Sequence, residues 1–231
     1  MKVAAIVPAA GLGRRVGGPV PKQFLDLAGC PLLVHTLRVL DAVSLIEAVV
    51  LVVPPGMEGR CRSAYLEPYG IHKVIDVVSG GERRQDSVRN GLKKIPAGTE
   101  LVAVHDAARP LATPDLVTRV IEAAARYGAA IAAVPMQDTP KVAGSSEMIV
   151  TTLNRRWLWL AQTPQVFARE LLQQALERAD SRGINATDES AMVESLGREV
   201  RVVEGSWENF KVTTPEQLKV AELILQIREQ A

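Results

Sequence analysis

The chain has 231 residues, 47% hydrophobic and 23% charged, with a formal net charge of +1. That is the composition of a soluble globular protein large enough for one core, and so small a net charge excludes the electrostatic footprint of a bulk nucleic-acid or acidic-membrane binder. Its two cysteines, Cys30 and Cys61, stand in no C-x-x-C pattern; they are too few for a disulfide framework or a zinc site and read as free thiols in a reducing cytoplasm.

The first apolar run, Val3 to Val7, is short, continuous and rich in Val and Ile, as expected of a central parallel strand covered on both faces. Pro8 stops it, and Ala9-Ala10-Gly11-Leu12-Gly13-Arg14-Arg15 follows, with Lys22 beyond. The run ends too early for a signal peptide, and the charged residues that break later apolar stretches leave nothing long enough to span a membrane. Small residues let backbone N–H groups approach a ligand, and three cations gather with no acid before Asp26, so the loop suits a polyphosphate. It is neither of the two commonest phosphate loops. Lys22 is preceded by Pro21 and followed by Gln23, which breaks the P-loop pattern, and Val16 stands where a dinucleotide fingerprint needs glycine.

Strand and helix signals then alternate. Residues 31–40 predict a helix with Pro31 in its first turn, 47–53 a strand, 57–67 a polar irregular helix, 73–78 a strand ending in Ser79-Gly80-Gly81, and 82–94 a helix. A strand over 101–104 ends in His105-Asp106-Ala107-Ala108-Arg109. Thr113 and Pro114 cap and open a helix, and 128–134 is a strand of Ala, Ile and Val. Residues 136–155 depart from the rhythm: two extended runs around Gly144-Ser145-Ser146 predict a hairpin arm, whose apolar Val142, Ile149 and Val150 need a partner subunit to cover them. Beyond it come helices over 168–179 and from Thr187 to about 197, a strand over 199–203, and a helix capped by Thr214 and Gln217. The alternation predicts an α/β fold in one domain: a Rossmann-like, mostly parallel sheet with helices on both faces.

In such a sheet, loop 9–22, Gly80-Gly81-Glu82 and 105–109 come to one edge, where ligands bind. Asp106 reads as a carboxylate near a metal or a ribose, or as a turn cap. His105 is a possible general base, though no nucleophile-elbow Ser or Cys accompanies it. Trp157 and Trp159 are expected to pack and not to stack on a base.

Pro8 to Arg15, Pro21-Lys22-Gln23-Phe24, Gly80-Gly81 with Ser87, residues 104–110, Asp138-Thr139-x-Lys141, Thr163-Pro164-Gln165, Thr187-Asp188-Glu189 and Lys211-Val212-Thr213 occur in one order along nearly the whole chain. This set resembles the 2-C-methyl-D-erythritol 4-phosphate cytidylyltransferase family. The resemblance implies transfer of a cytidylyl group from CTP to methylerythritol phosphate, with magnesium, by a cytoplasmic homodimer joined through the 136–155 arm. It implies that Arg15 and Lys22 surround the triphosphate, and that Arg155 and Lys211 hold the acceptor phosphate. It also implies that Ala9, Ala10, Gly11, Gly13, Gly81, Glu82 and Ser87 form the CTP pocket, that Asp106 and Ala107 lie near the ribose and metal, and that Thr139, Thr163 and Thr187 line the acceptor pocket with Arg155 and Lys211. A relative acting on ribitol 5-phosphate shares the nucleotide loop, and a catalytically silent CTP sensor is the alternative from another class.

Overall fold

A computed structural model of the chain describes residues 1–11 and 21–230. The first strand, β1 (Val3–Pro8), keeps Pro8 as its last residue. A helical turn over Lys22–Phe24 and the short β2 (Asp26–Leu27) and β3 (Cys30–Pro31) lead into α1 (Leu32–Ala42), which Pro31 precedes as N-cap. There follow β4 (Ile46–Val53), α2 (Glu58–Cys61) with irregular turns to Tyr69, β5 (Val74–Ser79), α3 (Arg84–Leu92), β6 (Leu101–Val104), α4 (Pro114–Tyr127) and β7 (Ala129–Pro135). The arm is a hairpin of β8 (Lys141–Ala143) and β9 (Ile149–Thr152). The chain ends with β10 (Trp159–Ala168), α5 (Arg169–Ser181), α6 (Glu189–Ser195), β11 (Arg201–Glu204) and α7 (Pro215–Glu229).

Seven strands form one sheet in the order β11-β7-β10-β6-β1-β4-β5, all its pairings parallel except those of β10 with β6 and β7. Strand alternation sorts the side chains to two sides. Val3, Ala5 and Val7 pack with α1 and α4, whereas Ala4 and Ile6 pack with α3, α5 and α6. A third cluster seats α7 against Leu27, Leu32, Leu111 and Val212. With both faces covered, each fully buried Val, Leu or Ile contributes about 1.5–3 kcal/mol.

Three features correct or extend the sequence expectations. Strand β10 was not foreseen, because Gln162, Thr163, Pro164 and Gln165 carry neither an apolar run nor an alternation. Pro164 is accommodated where the register with β7 shifts between Ala161 and Gln165, a bulge that takes this segment out of the ladder. Trp157 and Trp159 do not pack in the chain's core; they are 76% and 43% exposed. Helix α3 begins at Arg84, so Glu82 lies in the preceding loop, exposed. Gly13 and Arg15 lie outside the described residues.

Candidate active site

The carboxyl edge of the parallel strands gathers three loops. After β1 the chain stays anchored: Ala9 donates its N–H to the Val52 carbonyl at 2.6 Å, and the buried Gln23 amide donates to the carbonyls of Ala9 and Gly11. After β5, Gly80 and Gly81 are held close to their neighbours. A Cβ at Gly80 would collide with the Ala10 side chain and one at Gly81 with Asp86, so the approach of α3 to the β1 loop requires glycine there. The Ser87 hydroxyl accepts the Gly81 N–H at 3.1 Å and thereby shapes this loop. After β6, the Thr36 hydroxyl pins the Ala107 carbonyl at 3.0 Å, and Val212 N–H bonds the Ala108 carbonyl at 2.8 Å, bringing Lys211 over Asp106.

These loops enclose a cleft of about 360 Å³ lined by Pro8 to Gly11, Lys22 and Gln23, residues 81–84, Ser87, residues 106–108 and Lys211. Four cations, Lys22, Arg83, Arg84 and Lys211, face two carboxylates, Glu82 and Asp106, among the described lining residues. The cleft is therefore built to receive a polyanion. The one hydroxyl side chain among those described residues, Ser87, is buried and already bonded, so the cleft suits a displacement that positions two substrates and needs no protein nucleophile.

Asp106 is the centre of the charge arrangement. It is buried, with Oδ1 3.1 Å from Arg84 Nη2, and Oδ2 3.0 Å from Lys211 Nζ and 3.5 Å from Arg109 Nε. Burial alone would raise its pKa, but the Arg84, Lys211 and Arg109 cations outweigh that and hold the carboxyl well below the usual carboxylate range. Lys22 reaches the same place from the other side of the sequence, donating to the Val212 carbonyl at 2.9 Å.

His105 is a correction to the general-base reading. It is wholly buried and absent from the cleft lining. The Thr163 hydroxyl accepts the Asp106 N–H at 2.9 Å, so its own proton goes to His105 Nδ1 at 3.2 Å, leaving the imidazole hydrogen on Nε2 facing the Arg109 carbonyl. Burial pushes the His105 pKa down to about 4, against the pull of the Asp106 charge. The unfolded chain takes up this proton near pH 6.5 and the folded one near 4, so stability that is complete above 6.5 is lost as pH falls between them. At 1.36 kcal/mol per pKa unit the loss totals about 3 kcal/mol. Urea unfolding at pH 7 and 4.5 should show wild type losing about 2–3 kcal/mol more than His105→Asn; equal losses would remove the buried neutral histidine from the account.

A second cleft of about 230 Å³ adjoins the first through Arg84, Asp106 and Lys211, and is lined by Thr163, Thr187, Gln162, Gln165 and Asp188 among others. Of the residues expected at the site, Ala9, Ala10, Gly11, Lys22, Gly81, Glu82, Ser87, Asp106, Ala107 and Lys211 line the first cleft, and Thr163 and Thr187 the second. Thr139 and Arg155 line neither; both are exposed on the arm, where the Arg155 guanidinium bonds the Gln137 carbonyl. Gln23 and Arg84 had no assigned role. Gln23 carried a signal, since it follows Lys22 in a quoted motif, but Arg84 was one cation in a mixed-charge helix, and its partner Glu189 lies 105 positions away.

A cleft of backbone loops and cations at the carboxyl edge of a mostly parallel sheet, its one described hydroxyl already bonded, fits an α/β nucleotide-handling enzyme. The profile of the family described as IspD, 2-C-methyl-D-erythritol 4-phosphate cytidylyltransferase, matches residues 3–227, and the chain belongs to that family. A protein of that name from Pelotomaculum thermopropionicum is 49% identical over 228 residues, 99% of this chain and 96% of the relative. Another from Syntrophus aciditrophicus is 47% identical over 228 residues, 99% of this chain and 97% of the relative. Among solved structures, the 4-diphosphocytidyl-2C-methyl-D-erythritol synthase of Anaerococcus prevotii superposes with a TM-score of 0.86 at 31% identity, covering 97% of this chain and 96% of that one. The 2-C-methyl-D-erythritol 4-phosphate cytidylyltransferase of Thermus thermophilus gives 0.78 at 36% identity, over 98% of this chain and 100% of that one.

Proposed function

We propose that these two adjoining clefts are where the chain transfers the cytidylyl group of CTP to 2-C-methyl-D-erythritol 4-phosphate, releasing pyrophosphate and giving 4-diphosphocytidyl-2-C-methyl-D-erythritol for isoprenoid precursors. The observation that carries the placement is the convergence of the β1 loop, Lys22, Asp106 and Lys211 on one cleft next to a second. CTP lies in the first, its base against Ala9, Ala10, Gly81, Glu82 and Ser87 and its triphosphate beside Gly11 and Lys22; Gly13 and Arg15, which the family resemblance assigns to the same ligand, lie outside the described residues. The acceptor lies in the second, against Thr163 and Thr187, with its phosphate at Lys211. An acceptor phosphate oxygen forms the new bond to the α-phosphorus as the bond to the β-phosphate bridging oxygen breaks and pyrophosphate carries the charge away. Two anions meet in this step, so cations and alignment account for the rate.

A magnesium ion here would be held chiefly by substrate phosphates: both Asp106 oxygens already face cations, Oδ1 Arg84 and Oδ2 Lys211 and Arg109, so Asp106 would ligate the ion only by exchanging one of them. The described residues contain no cluster of three or more metal-ligating side chains, and Asp106 offers one carboxylate at the cleft. That donor set suits a small hard cation that takes most of its oxygens elsewhere. When bound, the ion supplies further neutralisation of phosphate charge.

The continuous seven-stranded sheet supports one nucleotidyltransferase domain over 1–231, with 136–155 as a dimerisation arm. Ile149 and Val150 are 64% and 70% exposed there. A second copy that covers them also brings Thr139 and Arg155 to the acceptor cleft. Replacing Ile149 and Val150 by Asp should give monomers in sedimentation and remove activity; a wild-type chain that sediments as a monomer would sink the shared site. Among the described residues no helix is long and apolar enough to cross a membrane, and a cytoplasmic setting suits two free cysteines.

The relatives' names favour methylerythritol phosphate over ribitol 5-phosphate, and an enzyme over a silent sensor. The test is pyrophosphate release with magnesium, each nucleoside triphosphate and each acceptor in turn. Release only with CTP and methylerythritol phosphate is expected. Release with ribitol phosphate instead would overturn the acceptor, and no release with any pair would overturn the reaction.

A further inference from the structure

Glu189 opens α6, is wholly buried, and lines neither cleft. One of its oxygens meets Arg84 Nη1, while Oε2 has no hydrogen-bond partner among the described residues. A buried carboxylate left half-satisfied is costly, and such a group calls for an explanation. Capping the helix is not the explanation, because Asp188 already does that. Its Oδ1 accepts the Ala191 N–H at 3.1 Å, and its Oδ2 accepts the Gln165 amide and the Ser190 hydroxyl. What remains is Arg84, whose other amino group stands 3.1 Å from Asp106 Oδ1. The Arg84 guanidinium is thus stretched between a buried anchor and the carboxylate at the cleft.

We propose that Glu189 is a positioning residue for the transfer reaction: by holding one prong of Arg84 it confines the other to Asp106 Oδ1 and so leaves Asp106 Oδ2 to Lys211 and Arg109. The inference rests on the site reading given above. Released from Glu189, a guanidinium next to a carboxylate closes onto both of its oxygens, the geometry that suits its fork. Lys211, a single point charge 3.0 Å from Oδ2, then loses its place. The acceptor phosphate is misaligned, while the base of CTP, placed against Ala9, Ala10, Gly81, Glu82 and Ser87, keeps its contacts.

The test is steady-state kinetics on full-length variants that are checked by thermal melting. Glu189→Gln is expected to lower kcat about 10-fold or more with KM for CTP within about 3-fold, since misplacing a positioning group acts on the reacting geometry. Glu189→Asp, which keeps the buried charge but shortens the reach by one methylene, should lower kcat in the same direction and serves if the Gln variant does not fold. In an Arg84→Gln background the Glu189→Gln change should alter kcat less than about 2-fold, because its effect runs through Arg84. A purely structural role predicts lower melting temperatures with wild-type kcat, and that result, or equal effects with and without Arg84, overturns the proposal. Lys211→Ala is measured alongside. If it keeps full turnover the site reading itself fails, whereas loss there with wild-type kcat in both Glu189 variants defeats only the positioning role.

Discussion

Replacing Lys22 by Ala is expected to lower turnover by about 100-fold or more while leaving CTP affinity within a few-fold of wild type. The split follows from where charge sits before and during the reaction. A bound triphosphate spreads its ground-state charge over backbone donors and several cations, so one ammonium adds little to affinity. In the transition state extra charge gathers around the α-phosphoryl group, and a preorganised cation there is worth about 2.7 kcal/mol for each 100-fold. Lys22 is preorganised: the helical turn over Lys22–Phe24 sets its origin, and its bond to the Val212 carbonyl at 2.9 Å ties it to the segment carrying Lys211. Equilibrium CTP titration beside steady-state pyrophosphate release makes the measurement. Turnover within a few-fold of wild type would remove Lys22 from the chemistry.

Asp106→Asn is expected to damage both stability and rate. The neutral amide keeps the shape but leaves Arg84, Arg109 and Lys211 facing one another without the carboxylate that compensates them. Breaking a buried ion pair from one side costs about 3–5 kcal/mol; the partial exposure of Lys211 argues for the lower end. For a chain of this length about 3 kcal/mol is roughly 6–12 °C in melting temperature. Because the folded carboxyl titrates below the unfolded one, this stabilisation is present above about pH 4 and is lost as pH falls further, so wild type and variant should converge in acid. Turnover should fall by at least about 100-fold, since Lys211 loses the partner that positions it in the cleft. A variant melting within about 2 °C of wild type, or one still active, would mean that the three cations do not depend on Asp106.

Much of the fold was legible from local signals. The Thr113 side chain accepts the Leu116 N–H and Pro114 opens α4, and Thr214 and Gln217 form the reciprocal cap of α7, as their spacing predicts. The hairpin around Gly144 and the strand over 101–104 were equally readable. Strand β10 was not, because its polar middle reads as a loop until Thr163 is seen accepting from Asp106 and Gln165 bonding Asp188 and Ser190. His105 looked reactive beside an aspartate, and only its complete burial assigns it to the scaffold.

The sequence by itself determined most of the strands and helices, which edge of the sheet carries the glycine loops, and some of the cations that attend them; β2, β3, β10, the start of α3 and the part played by Arg84 it did not. The properties it determined depend on side-chain period, caps and turn residues within a few positions of one another. Only the tertiary structure decided which polar groups meet. Arg84 finds Glu189 across 105 positions, and Lys22 finds Val212 across 190. Asp106 takes its low pKa from cations on three separate segments. Such pairings rest on burial and on distances of about 3 Å between groups far apart in the chain, and nothing in local spacing encodes either.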